Sequence, residues 1–166
     1  IPLEFLREIL RTLNLLSENE EINSELVRQH LELPRNEALL QIFLTWFKSS
    51  SLEELFFIPG LVLESKPDHN PVFARKFILD QISLIPTEKW WNLDSFISYI
   101  HQTNPDFQRP AGNYDSWYIK DKESDEFLNG FENWHKVDGA YIQFLITGPL
   151  YWLGLLEIGS NNEDSC

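Results

Sequence analysis

Four histidines, a single cysteine and one loop crowded with aromatic rings are the side chains of this 166-residue chain with chemistry to offer. His69 lies in Pro67-Asp68-His69-Asn70, where Asp68 and His69 have the types to ligate a metal or pass a proton. The flanking proline and asparagine also make a turn with solvated side chains, and that simpler reading is the expectation. His101 and His135 each close an amphipathic stretch, where a cation meets the helix dipole favourably. A composite of His135 with Asp115 or Asp138 stays open, although no spacing proposes it, and His30 belongs to no pattern. The loops GxxxxGK[ST], GxGxxG and GxSxG are absent, as are HExxH and CxxC, so nucleotide-binding, zinc-protease and hydrolase sites lack their usual parts. No catalytic residue, metal site or cofactor is therefore assigned, and the chain reads as a non-enzyme.

The aromatic loop runs from Asn104 to Lys122 and holds Phe107, Tyr114, Trp117 and Tyr118, with Gln108, Arg109 and Lys120 between them. Such residues stack bases and neutralise phosphates. The competing reading is a long insertion that packs itself down, with tyrosine and tryptophan reaching water through their polar tips. That reading is preferred, because four aromatics exposed together invite association. Trp90 and Trp91 are expected to divide, one facing the core and the other shielding a helix junction. If the chain has a binding surface, its candidates are Arg75, Lys76, Lys89, Arg109, Tyr114, Trp117, Tyr118 and Lys120.

The elements that must carry these residues follow from length and pattern. The length predicts one domain, or two small parts sharing a core, without disulfide or metal staples. Hydrophobic residues at 43% and aromatics at 14% exclude a disordered chain. Thirteen basic against 26 acidic side chains leave a net charge of −13, which opposes generic phosphate binding. Residues 121–166 are the most acidic part, with only Lys122 and Lys136 against nine acids; the middle third is nearly balanced. No apolar run approaches the roughly 18 residues of a membrane span, and no basic-then-apolar leader opens the chain. Cys166 has no partner, which predicts a reducing, cytoplasmic setting. The absence of methionine and the opening Ile1 suggest a piece excised from a longer chain.

Helical spacing of Leu3, Phe5, Leu6, Ile9, Leu10 and Leu13 predicts a first helix ended by Asn14, with a polar turn over residues 17–24. A helix over Asn36–Ser49 has almost no polar face and is expected at the centre of the fold. Ser51 caps a short helix with Glu54 in the capping-box position, and Pro59-Gly60 closes it. Residues 64–71 read as a linker between an N-terminal part, 1–66, and a second part, 67–166, packed as one unit. Helices follow over Val72–Ile85, with Phe73, Phe77, Ile78 and Ile82 inward, and over Asn92–His101. Another is expected after Ser124, through Phe127, Leu128, Phe131 and Trp134. The last starts at Val137 and is divided at Gly148-Pro149, so that Tyr141, Phe144 and Leu145 pack on one set of neighbours and Trp152 and Leu153 on another. Strands are confined to Leu61–Leu63, Trp117–Ile119 and Leu155–Ile158, and Phe43, Phe47, Phe77, Ile97 and Leu145 are expected inside.

Leu10-Arg-Thr-Leu13-Asn14-Leu15-Leu16 matches Leu150-Tyr-Trp-Leu153-Gly154-Leu155-Leu156, each followed by a polar stretch. Both read as a helix capped by Asn or Gly, an apolar strand and a polar hairpin tip. The order of helices from residue 72, with Trp90-Trp91-Asn92-Leu93-Asp94, Asn104-Pro105-Asp106-Phe107 and Gly148-Pro149-Leu150-Tyr151-Trp152-Leu153-Gly154-Leu155, resembles a winged-helix domain. It is similar to the uncharacterised helicase-associated winged-helix segments of some bacterial proteins, over about half of the chain. The span between the second and third helices is longer than a helix-turn-helix turn, and no second wing strand returns before Cys166. The resemblance implies contact with protein or nucleic acid and carries over no catalytic residue. The fold expected is a mainly α, winged-helix-like helical bundle with a small β component. The function expected is a non-catalytic interaction module that contacts a protein partner or other domains of its own chain. The alternative is a DNA-binding module of a larger helicase-associated or regulatory protein, which the charge disfavours.

Overall fold

The structure is a computed structural model that describes residues 2–110 and 112–159. It is mainly α with a small β component: six α-helices and one two-stranded sheet among the described residues. Helices α1 (Leu3–Thr12), α2 (Ser24–Glu32) and α3 (Arg35–Lys48) precede strand β1 (Leu61–Leu63). Then come α4 (Pro71–Ser83), α5 (Leu93–Thr103), β2 (Ile119–Asp121) and α6 (Ala140–Leu145). One-turn π-helical segments flank α6 at His135–Gly139 and Ile146–Leu150, so the last helix is a composite.

That composite, and not α3, is the centre. Trp134, Val137, Asp138, Tyr141, Ile142 and Leu145 recur at helical spacing and are each at most 1% exposed. On α3 only Trp46 is buried, while Leu40 and Leu44 face outward. Helix α3 packs against α1 and α4, and its Gln41 meets His30 of α2 at 2.9 Å. Ile97 and Leu145 are buried as expected; Phe43, Phe47 and Phe77 are half-buried against the same core.

Local signals explain the helix ends. Asn14 takes φ 58° and Gly154 takes φ 73°. At both places the next two amides donate to the carbonyl five and six residues back, Leu15 and Leu16 to Leu10, Leu155 and Leu156 to Leu150. The repeat is thus a repeated helix C-cap, built where asparagine or glycine tolerates the left-handed region. Among the described residues only the first copy continues into pairing, through an isolated bridge between Leu16 and Ile22. No strand follows over Leu155–Ile158, and the polar tip of the second copy lies outside the described residues. Helix α2 was not expected in so polar a stretch. Asn23 caps it by accepting from the Leu26 amide at 3.2 Å, and Arg28 pairs with Glu25 and Glu32, each at 2.8 Å.

Strand β1 pairs antiparallel with β2, Val62 opposite Lys120, so the sheet joins residues 1–66 to the remainder. Strand β2 starts two residues later than expected, because the Ile119 amide donates to Trp117 O in a tight turn that sends the Trp117 ring inward. No helix follows Ser124. Asp121 Oδ1 accepts from the amides of Glu123 and Ser124, folding a turn that brings Phe127 back to bridge Lys120. Only a 3₁₀ turn at Phe131–Asn133 remains of that helix. The short helix near Ser51 is likewise one 3₁₀ turn, Glu54–Phe57, capped by Glu53 rather than Ser51.

Gly148 leaves helical geometry, with φ −103° and ψ −109°, directly before Pro149. The break is real, but the two pieces do not separate their neighbours: Phe144 and Trp152 both pack edge-on to Phe5, at 5.5 and 5.9 Å. A Cβ at Gly148 would meet Trp152 ring carbons at 3.3 and 3.4 Å. Replacing Gly148 and Pro149 together by alanine is therefore expected to lower stability by about 1–3 kcal/mol, since a straightened helix displaces Trp152 from Phe5. A higher denaturation midpoint with unchanged cooperativity would sink this reading.

Candidate functional site

Two buried ion pairs account for the strongest charges in the core. The first closes the end of α3. Arg75 and Glu54 are both 0% exposed; Arg75 Nε donates to Glu54 Oε1 at 2.7 Å, and Trp46 Nε1 donates to the same oxygen at 2.6 Å. The Arg75 guanidinium also donates to the carbonyls of Trp46, Ser49 and Leu52 at the end of α3 and in the following turn; of these, Trp46 O also accepts from the Ser49 amide. Burial pushes the Glu54 carboxyl up from its ordinary range, and the Arg75 charge opposes that push.

The second pair fastens the aromatic loop. Asp138, at the centre of the buried stripe, accepts from Arg109 Nε and Gln108 Nε2, both at 2.9 Å, and Arg109 Nη2 lies 2.9 Å from its other oxygen. The guanidinium stands over both Trp117 and Tyr114, 4.0 and 5.0 Å from the ring centroids. Tyr114 donates to Asp106; burial and this bond raise its phenol well above the ordinary range. Burial likewise raises the Asp138 carboxyl, with Arg109 opposing. The loop start is pinned by Trp134 Nε1 donating to Pro105 O at 2.9 Å.

This geometry disperses the eight candidate surface residues. Arg75, Arg109, Tyr114 and Trp117 are buried, the arginines because each neutralises a buried carboxylate. Lys76 is exposed and paired with Asp80 at 2.5 Å, and Lys120 pairs with Glu64 at 2.7 Å. Among the described residues, Lys89 and Tyr118 are the exposed members without such an ion pair, on separate segments. The eight do not form one face.

The histidines are also placed differently from expectation. The 64–71 segment is not a free linker: Pro67 is buried, and the His69 side chain is 1% exposed. His69 Nε2 lies 2.5 Å from Glu53 Oε2, and its ring tilts against Trp117 at 5.1 Å. His101 ends α5, but His135 begins the last helix, and the two rings lie 4.6 Å apart. Burial, then the nearby His135, lowers the His101 pKa. Asp138 is committed to Gln108 and Arg109 and Asp115 is exposed, so neither builds a site with His135. Among the described residues no group of three or more His, Cys, Asp or Glu is placed to hold a metal ion.

An apolar groove also stands open. With a volume of about 350 Å³, it lies between the end of α4 and the start of α5, lined by Leu84, Ile85, Trp91, Ser95, Phe96 and Tyr99. Its walls are fixed: Asn92 Oδ1 accepts from the Ser95 amide at 2.8 Å, and Trp91 packs on Phe96 at 5.1 Å. Leu84 is 75% exposed and neighbouring Trp90 72%.

No family model, curated protein or solved structure matches the chain.

Trp91 thus packs inward, as one of the tryptophan pair was expected to, while Trp90 lies open beside Gly159. The sequence gives no pattern for the groove, because its lining divides between the end of α4 and the first turns of α5. Its one local signal is the density of apolar residues around the Pro86 break, from Leu84 to Trp91. No described helix is long and apolar enough to cross a membrane.

Proposed function

We propose that the chain is a non-catalytic interaction module, winged-helix-like in the order of its helices, that contacts a protein partner or other domains of its own chain. One observation carries this reading: an apolar, aromatic-walled groove lies open between α4 and α5, whereas the buried Arg75–Glu54 and Arg109–Asp138 pairs are closed on one another. Exposed apolar surface of this kind marks contact with protein more than with phosphate. The lone Cys166 fits a reducing, cytoplasmic setting.

The DNA-binding alternative has lost most of its cationic face, since Arg75 and Arg109 are internal and Lys76 and Lys120 are ion-paired. Fluorescence anisotropy with a labelled random duplex at physiological salt tests the choice. No saturable binding is expected, because the net charge of −13 opposes the counterion-release contribution that drives non-specific binding. Micromolar affinity that falls steeply with added salt would replace this proposal by the nucleic-acid one.

A further inference from the structure

We infer that the groove between α4 and α5 receives a cationic amphipathic helix of a partner protein. The inference deepens the interaction-module reading and rests on it. Shape selects the kind of partner. The groove is walled by helix ends and the turn between them, with no strand edge among its lining residues, so it offers an incoming chain side-chain contacts and no ladder of backbone bonds. That suits a helix inserting apolar anchors at i, i+3, i+4 and i+7. At about 350 Å³ the groove is at the small end of the roughly 300–1,000 Å³ of ligand pockets, fitting a few side-chain anchors rather than a large cofactor. Tyr99 and Trp91 are aromatic walls of the type that dominates binding energy at interfaces, and Leu84 and Trp90 extend the apolar surface beyond the groove.

Charge selects the partner's sign. Asp80 and Lys76, paired and exposed, cancel on the segments that frame the groove, which leaves exposed Glu88 and Asp94 against Lys89, an excess of one acid. The whole chain carries −13. Long-range attraction and the local rim therefore both favour lysine and arginine on the partner's polar face. A second copy of this chain would bring the same −13 and the same acidic rim, so like-charge repulsion opposes self-pairing through this face. The walls are ordered before binding by the Asn92 cap and the Trp91–Phe96 contact, which lowers the cost of docking.

The test titrates the chain with a fluorescein-labelled helical peptide that has leucine at i, i+3, i+4 and i+7 and lysine elsewhere. Two comparison peptides keep the leucines with glutamate in place of lysine, or scramble the order of the leucine–lysine sequence. One-to-one binding is expected for the first, weaker by roughly tenfold or more for each of the others. Leu84→Asp and Tyr99→Asp should each weaken it by a similar factor. Leu84 is 75% exposed, so that variant should keep the wild-type denaturation midpoint and remain informative if the Tyr99 variant does not fold. Binding unchanged by Leu84→Asp, or equal binding of the scrambled or glutamate peptide, overturns the docking site and leaves the wider reading standing. So does sedimentation of the free chain as a dimer that Leu84→Asp dissociates. Saturable binding of a labelled duplex to the chain in the absence of peptide, weakened by Leu84→Asp, overturns the interaction-module reading itself.

Discussion

Arg75→Met should lower stability by about 3–5 kcal/mol at neutral pH, because it leaves the Glu54 carboxylate buried without its counter-charge. The loss has two sources. Glu54 keeps only the Trp46 indole N–H as a side-chain donor, and the carbonyls of Ser49 and Leu52 lose the Arg75 donor while Trp46 O keeps the Ser49 amide. Unsatisfied buried acceptors cost about 1–3 kcal/mol each before relaxation and water entry reduce the sum. Methionine preserves much of the volume, so packing loss is the smaller part.

The pH dependence separates the two sources. Burial raises the Glu54 carboxyl even with Arg75 beside it, and removing Arg75 takes away the largest opposing influence. In the variant, folded Glu54 therefore holds its proton to higher pH than the unfolded chain, where the ordinary value is about 4.3. A group raised in this way contributes its stabilisation fully below the unfolded value and loses it as pH rises through the folded one. Wild type and variant lose this contribution together until the wild type's own raised value is passed, so the deficit of Arg75→Met should be constant on the acid side and grow only above that value, by at most about 1.4 kcal/mol per pH unit. Urea midpoints of variant and wild type across mildly acidic to neutral pH measure it. A deficit that does not change with pH would assign the loss to the carbonyls instead.

Arg75 also marks where the sequence stops being legible. On α4 the buried positions are Pro71, Ala74, Arg75 and Ile78, at the i, i+3, i+4, i+7 spacing of a core stripe. The apolar pattern alone points to Phe73, Phe77, Ile78 and Ile82, and Phe73 is 67% exposed. An arginine on the inner face is invisible to a rule that puts charges in water, because its partner Glu54 lies 21 residues away. Asp138 repeats the lesson: it interrupts the most buried stripe in the chain, and its partner Arg109 lies 29 residues earlier in a segment without helical period. A charge at an inward position of an otherwise apolar stripe was the available signal in both cases. Features set by a single residue and its neighbours were readable without the fold. Asn92 caps α5, Asn14 closes the turn after α1, Leu61–Leu63 forms a strand and Gly148 leaves the helix. The groove was not readable, since its walls are helix ends that only the tertiary packing brings together.

Arg109→Met should cost a similar amount, about 3–5 kcal/mol, and here a second substitution identifies the cause. Asp138 is 0% exposed and would keep Gln108 as its one remaining side-chain donor. If the stranded carboxylate governs the loss, adding Asp138→Leu to Arg109→Met should recover most of it, because a buried pair replaced whole by apolar groups is often neutral. A residue of about 1–3 kcal/mol should persist from the Gln108 amide, which loses its acceptor in the double variant. If instead the guanidinium between Tyr114 and Trp117 is what holds the loop, the double variant should be no more stable than the single one. The near-ultraviolet signal of these rings follows the loop independently of the denaturation midpoint. Recovery of both midpoint and ring signal in the double variant is the expected result. A midpoint that stays low while the ring signal collapses would transfer the anchoring role from the ion pair to the cation–π sandwich.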